Sequence, residues 1–229
     1  MSTDDHPSIG TRSTTGSVLE HPLIGLERRQ TGIAAAYLAV LIGLFAISYT
    51  GSAVTIDGAA LDTVVPGFDA ISSWLIIIAT VTIAIVPFLY AAWNGGPAVA
   101  FVLPLVPVLL GDIAAGQYVL GTDTAIALTV GAAASALALV AADIRRTRSL
   151  RPWRAADSDD SQLLVVTILT VVAAISVGRF VAGVPPRYLE WYAPFGALWL
   201  VPLTVVGCYW GAAVRTTVVT RTDRVRTDS

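Results

Sequence analysis

Long stretches of apolar residues, broken by short polar segments, dominate the order of residues along this chain. Six such stretches run over 32–49, 71–92, 97–120, 124–142, 163–183 and 195–214. About 20 apolar residues in a helix cross a hydrocarbon core of about 30 Å. The stretches are continuously apolar and lack the every-other-residue alternation of barrel strands. Backbone groups in lipid must also bond within their own segment, so helices are the expected elements. The pattern predicts an all-α, polytopic membrane helical bundle of six transmembrane helices (31–214), after a disordered tail (1–30) and before a second tail (215–229). Pro104 and Pro107 each remove a helical hydrogen bond and Gly111 follows, so the third helix is expected to kink or break.

Composition agrees with this reading. The chain is 55% hydrophobic and 13% charged, with mean hydropathy +0.72, values that exclude an ordinary soluble domain. All 14 basic residues are arginine, and aspartate outnumbers glutamate thirteen to three. This bias resembles proteins of salt-adapted archaea with GC-rich genomes and points to no family. Cys208 is the single cysteine, so no internal disulfide can form.

The arginines set the orientation. Twelve of them fall in the first tail, in the segment "IRRTRSLRPWRAADSDDSQ" at 144–162 and in the last tail. With six spans these segments share one side, and only Arg179 and Arg187 fall on the other, together with Asp57, Asp62 and Asp69. Both termini are therefore expected in the cytoplasm, the cell membrane being crossed six times. Tyr90, Trp93, Tyr209 and Trp210 are expected to mark the inner membrane boundary, and Tyr49, Tyr118, Tyr188, Trp191 and Tyr192 the outer one. "ERRQTG" at 27–32 resembles a twin-arginine signal, but Gln30, Thr31 and Gly32 stand where apolar residues belong, so a retained first helix is expected.

Candidate chemistry is sparse. Both histidines, His6 and His21, precede the first span, which removes membrane-embedded imidazole catalysis and haem or zinc ligation. "LLGD" at 109–112 lacks the first glycine of the GxGD motif of aspartyl intramembrane proteases, and no second aspartate reaches that depth. "NGGP" at 94–97 is a tight cytoplasmic turn without the lysine of a phosphate loop. No catalytic site, metal, cofactor or nucleic-acid partner is expected.

The intramembrane polar residues are the candidate site. Asp112 lies 15 residues beyond Pro97, about 22 Å up its helix, and Arg179 lies 16 residues beyond Leu163, about 24 Å up its own. A charge within a membrane helix costs up to about 3 kcal/mol, so the matched depths predict an Asp112–Arg179 ion pair facing the bundle. Two readings of it stand: a pin of helix register, or a solute site to which Gln117 and Tyr118 add polar contacts. Gly131 and Ser135, four apart in the fourth span, are expected to let a neighbouring helix approach closely. "PPRYLEWYAP" at 185–194 suits an amphipathic helix on the outer surface. The expected role is a structural or accessory membrane component, in contact with lipid and with other membrane subunits or a second copy. A small-solute or ion transporter is the alternative.

Overall fold

The computed structural model describes residues 21–114, 116, 120–154 and 160–227. Among the described residues ten helices form the bundle: α1 (Arg28–Ala53), α2 (Leu61–Val64), α3 (Phe68–Ala84), α4 (Val86–Asn94), α5 (Pro97–Val102), α6 (Leu105–Ala114), α7 (Thr122–Thr147), α8 (Asp160–Gly183), α9 (Pro186–Gly196) and α10 (Leu200–Thr227). Single 3-10 turns occupy Pro152–Arg154 and Ala197–Trp199. A two-residue hairpin, β1 (Thr55–Ile56) and β2 (Ala59–Ala60), pairs antiparallel after α1. Asp57 and Gly58 both take positive φ in its turn, the geometry of a primed two-residue hairpin loop.

Among the described residues five stretches are long and apolar enough to cross a membrane: Arg28–Gly51, Pro97–Ala114, Thr122–Thr147, Asp160–Gly183 and Pro186–Arg215. The bent pair α3 and α4 makes a sixth when taken as one span. That bend of 51° falls where Pro87 has no N–H to give to Ile83, and the proline starts α4 instead. The third span breaks at Leu103 and Pro104, whereas Gly111 sits inside α6. α6 ends at Ala114, short of the expected limit at 120. The last helix continues to Thr227, well past 214.

α7 is the axis of the fold. In its apolar window 78% of residues are buried, against 11% to 33% in the other four single spans. Alanines, Gly131 and Ser135 give it a thin surface on every side, so α4, α5, α8, α9 and α10 all pack on it. α1 and α3 pair beside this core, joined by Tyr37 to Thr82 at 2.6 Å and Ser48 to Ser72 at 3.2 Å. Outer helix faces expose large apolar side chains, such as Leu164, Ile168, Val172 and Ile175 of α8. A hydrocarbon environment solvates such faces without cost, and water does not.

The expected disordered tail ends earlier than 30. Residues 21–27 are clasped against the turn between α4 and α5, while 1–20 lie outside the described residues. Asn94 is fully buried in this clasp. Its Oδ1 accepts from the Glu27 N–H at 2.9 Å, and its Nδ2 donates to Thr31 Oγ1 and to the Tyr90 hydroxyl, each at 3.0 Å. Tyr90 in turn donates to the Ile24 carbonyl at 2.6 Å. Gly95 closes α4 in the left-handed conformation. Gly96 lies so close to Ile24 that an added Cβ would stand 1.8 Å from its carbonyl oxygen.

The aromatic residues divide. Trp93, Trp210, Tyr49, Tyr188 and Trp191 are exposed, whereas Tyr90, Tyr209 and Tyr192 are buried. The expectation that all of them anchor at the boundaries therefore fails for three tyrosines, each of whose hydroxyls finds a partner inside the bundle. Tyr118 lies outside the described residues.

Candidate functional site

The Asp112–Arg179 ion pair is not formed. Asp112, half-buried in the last turn of α6, accepts a hydrogen bond from Thr124 Oγ1 at 3.3 Å, and Arg179 is exposed on α8. Depth along a helix fixes one coordinate, and rotation about its axis fixes the other. Ala173, Val177 and Phe180 define the inward face of α8. Arg179, two residues beyond Val177, points about 200° away from it. The guanidinium is therefore exposed on the side of α8 that faces away from the bundle. Gln117 and Tyr118 lie outside the described residues.

Asp112 instead borders an open cleft of about 750 Å³ at the end of the bundle where α7 begins. Asp123 and Thr124 from the first turn of α7 form one wall with it, and Tyr188, Trp191 and Phe195 of α9 form another. The cleft is made where three chain segments meet: the end of α6, the start of α7 and the amphipathic α9. α9 is more than a surface helix. Its Tyr192 turns into the bundle, donating to Thr129 Oγ1 at 2.8 Å, since Thr129 itself donates to the Ala125 carbonyl. The Trp199 indole N–H donates to Tyr192 at 2.8 Å. Phe180 packs edge-on against the Tyr192 ring with centroids 5.8 Å apart. Ile126 and Phe180 floor the cleft, and beneath them lies a packed layer of Phe101, Leu128, Ala132, Ala173 and Val177.

A second polar region runs along the seam between α7 and α8. The two helices are antiparallel, with Ala125, Leu128 and Ala132 running against Phe180, Val177 and Ala173 in one cluster. Continuing both helices by equal steps brings Ser135 level with Thr170, and Asp143 level with Gln162. All four are buried. Among the described residues, Ser135 Oγ, Thr170 Oγ1 and both amide atoms of Gln162 have no hydrogen-bond partner. Asp143 is only 1% exposed. The Tyr209 hydroxyl donates to its Oδ2 at 2.7 Å, joining α7 to α10, and Arg146 stands 3.6 Å from its Oδ1. Arg145 donates to the Ala92 carbonyl and so joins α7 to α4.

A buried amide without partners costs about 1–3 kcal/mol. Gln162→Leu, which keeps the volume and removes the polar atoms, is expected to raise the unfolding temperature in detergent. A fall would mean that the amide is engaged and the seam polar by design.

Gly131 and Ser135 take different parts. Gly131 lets α5 approach so closely that an added Cβ would stand 2.6 Å from the Phe101 carbonyl oxygen. Ser135 is buried on α7 at the α8 register described above. The sequence reading missed Asn94, Tyr90, Asp143, Tyr209, Gln162 and Asp123. For Asp143 a signal was present, because the run of small residues that buries α7 on all sides extends to Ala142. Among the described residues no three His, Cys, Asp or Glu side chains gather to hold a metal ion. Comparison with known protein families, with curated proteins and with solved structures finds no match to this chain.

Proposed function

We propose that this chain is a structural or accessory component of the cell membrane, crossing it six times with both termini in the cytoplasm and performing no catalysis of its own. The observation that carries this reading is the packed apolar layer under the outer cleft. Phe101, Leu128, Ala132, Ala173, Val177 and Phe180 fill the centre of the bundle between the cleft and the polar groups of Asp143 and Tyr209. A solute path needs polar groups or water along its length, and close packing of this kind supports a support role over transport. The grouping of twelve arginines on one side supports the orientation. The apolar outer faces of α1 and α10 give lipid, other membrane subunits or a second copy ample surface to contact.

Reconstitution in proteoliposomes, paired with in-cell crosslinking from the lipid-facing position Ile168, tests the proposal. The expected result is ion and solute flux no greater than in protein-free vesicles, together with crosslinking to one companion subunit or to a second copy. Saturable flux abolished by Asp112→Asn, or crosslinking to lipid alone, would contradict it.

A further inference from the structure

We propose that the outer cleft is a binding site for an organic cation, with an alkylammonium group held by Asp112 and Asp123 and its apolar body against Trp191 and Phe195. The inference goes beyond the accessory role and does not depend on it. A volume of about 750 Å³ suits a small molecule, and small-molecule sites are concave, largely apolar and fixed by a few polar groups. Among the described residues the charged groups in the lining are two carboxylates, and no arginine lines it.

The two basic residues near this end are otherwise placed. Arg179 lies on the outer face of α8, and Arg187 stacks on the Tyr188 ring at 4.7 Å while donating to its hydroxyl. Asp123 also stabilises the start of α7, where a negative charge meets the positive end of the helix. Asp112 has no such assignment. Its hydrogen bond among the described residues is the long one from Thr124.

The aromatic wall decides the kind of cation. A hard metal ion calls for six or more oxygen ligands, and the rings of Trp191 and Phe195 offer none. An alkylammonium group gains from both kinds of wall, by charge attraction to the carboxylates and by cation–π attraction to the ring faces. Trp191 is 75% exposed, so its ring can turn onto a ligand without breaking core packing. The group has two natural sources, a free organic amine outside the cell or the ammonium headgroup of a bilayer lipid.

Calorimetric titration of the full chain in nanodiscs separates these sources. In discs of phosphatidylglycerol alone, choline and phenyltrimethylammonium are expected to bind saturably, one per chain, while the neutral choline isostere 3,3-dimethylbutanol does not. Asp112→Asn and, independently, Asp123→Asn are expected to weaken binding about tenfold, and Trp191→Ala to weaken phenyltrimethylammonium more than choline. Unchanged affinity in discs containing phosphatidylethanolamine identifies a free cation as the ligand, and competition by that lipid identifies the headgroup. Heats absent in phosphatidylglycerol discs, equal binding of the neutral isostere, or unaltered affinity in folded Asp123→Asn protein would overturn the site.

Discussion

Gly131→Ala is expected to destabilise the protein by about 2 kcal/mol, lowering its apparent unfolding temperature by about 4–8 °C. Helix propensity alone predicts the opposite sign, since alanine favours a helix interior by about 1 kcal/mol over glycine. The clash outweighs that gain. The new methyl would stand 2.6 Å from the Phe101 carbonyl oxygen and 3.3 Å from its ring. A backbone atom cannot swing aside, so α5 must move as a unit away from α7. Gly131→Leu should prevent accumulation of the protein. Gly178→Ala in α8, where nothing lies within 4 Å of the added carbon, supplies the matched control and should be neutral or slightly stabilising. Equal behaviour of the two alanine variants would remove α7 from the centre of the packing.

Asn94→Ala is expected to cost about 3 kcal/mol and to free the segment that precedes α1. The asparagine makes three side-chain hydrogen bonds, to the Glu27 N–H, Thr31 and Tyr90. Thr31 and Tyr90 keep acceptors for their own protons at Glu27 and Ile24. The Glu27 N–H loses its acceptor, and a small cavity adds to that loss. Two backbone bonds, Leu26 to Asn94 at 3.0 Å and Ala98 to Leu23 at 3.0 Å, depend on the same clasp. Trypsin reads the result, because Arg28 and Arg29 stand immediately after it and are exposed. Cleavage there should accelerate in Asn94→Ala and in Gly96→Ala protein. Cleavage at the original rate, with an unchanged unfolding temperature, would mean that the clasp contributes nothing to stability.

These two sites differ in how far the sequence revealed them. Gly131 was legible, because small residues four apart in an apolar run have few uses other than close packing. Asn94 was not. Two of its three partners lie 63 and 67 residues away in the chain, and no local pattern announces such a contact. Tyr209 and Asp143, 66 apart, were hidden for the same reason. The helices were legible because lipid imposes a simple demand on length and polarity. Their breaks were partly so: a disturbance by proline was expected in the third span, and Pro87 acts the same way at the bend of the second.

The lost ion pair is the more instructive difference. Residue counting places Asp112 and Arg179 at equal depth, yet two helices share a contact only where their inward faces meet. The inward face of α8 is marked in the sequence by Ala173, Val177 and Phe180, at spacings of four and three, and Arg179 is off that face. Asp112 sits by Thr124 because α7 starts beside the end of α6, a loop closure that depth does not encode. The cleft itself needed α9, whose amphipathic character was legible but whose inward Tyr192 was not.

The most direct test of the six-span bundle is the side of the membrane on which three exposed positions lie. Single cysteines at Thr55, Asp123 and Ser149, introduced with Cys208→Ser, are treated with an impermeant maleimide in intact cells. Positions 55 and 123 are expected to react from outside, and position 149 only after permeabilisation. The pair 55 and 123 also settles the bent helices, since a re-entrant α3 and α4 that failed to cross would place them on opposite sides. Labelling of 149 from outside, or of only one of 55 and 123, would contradict a six-span bundle with its cleft facing outward.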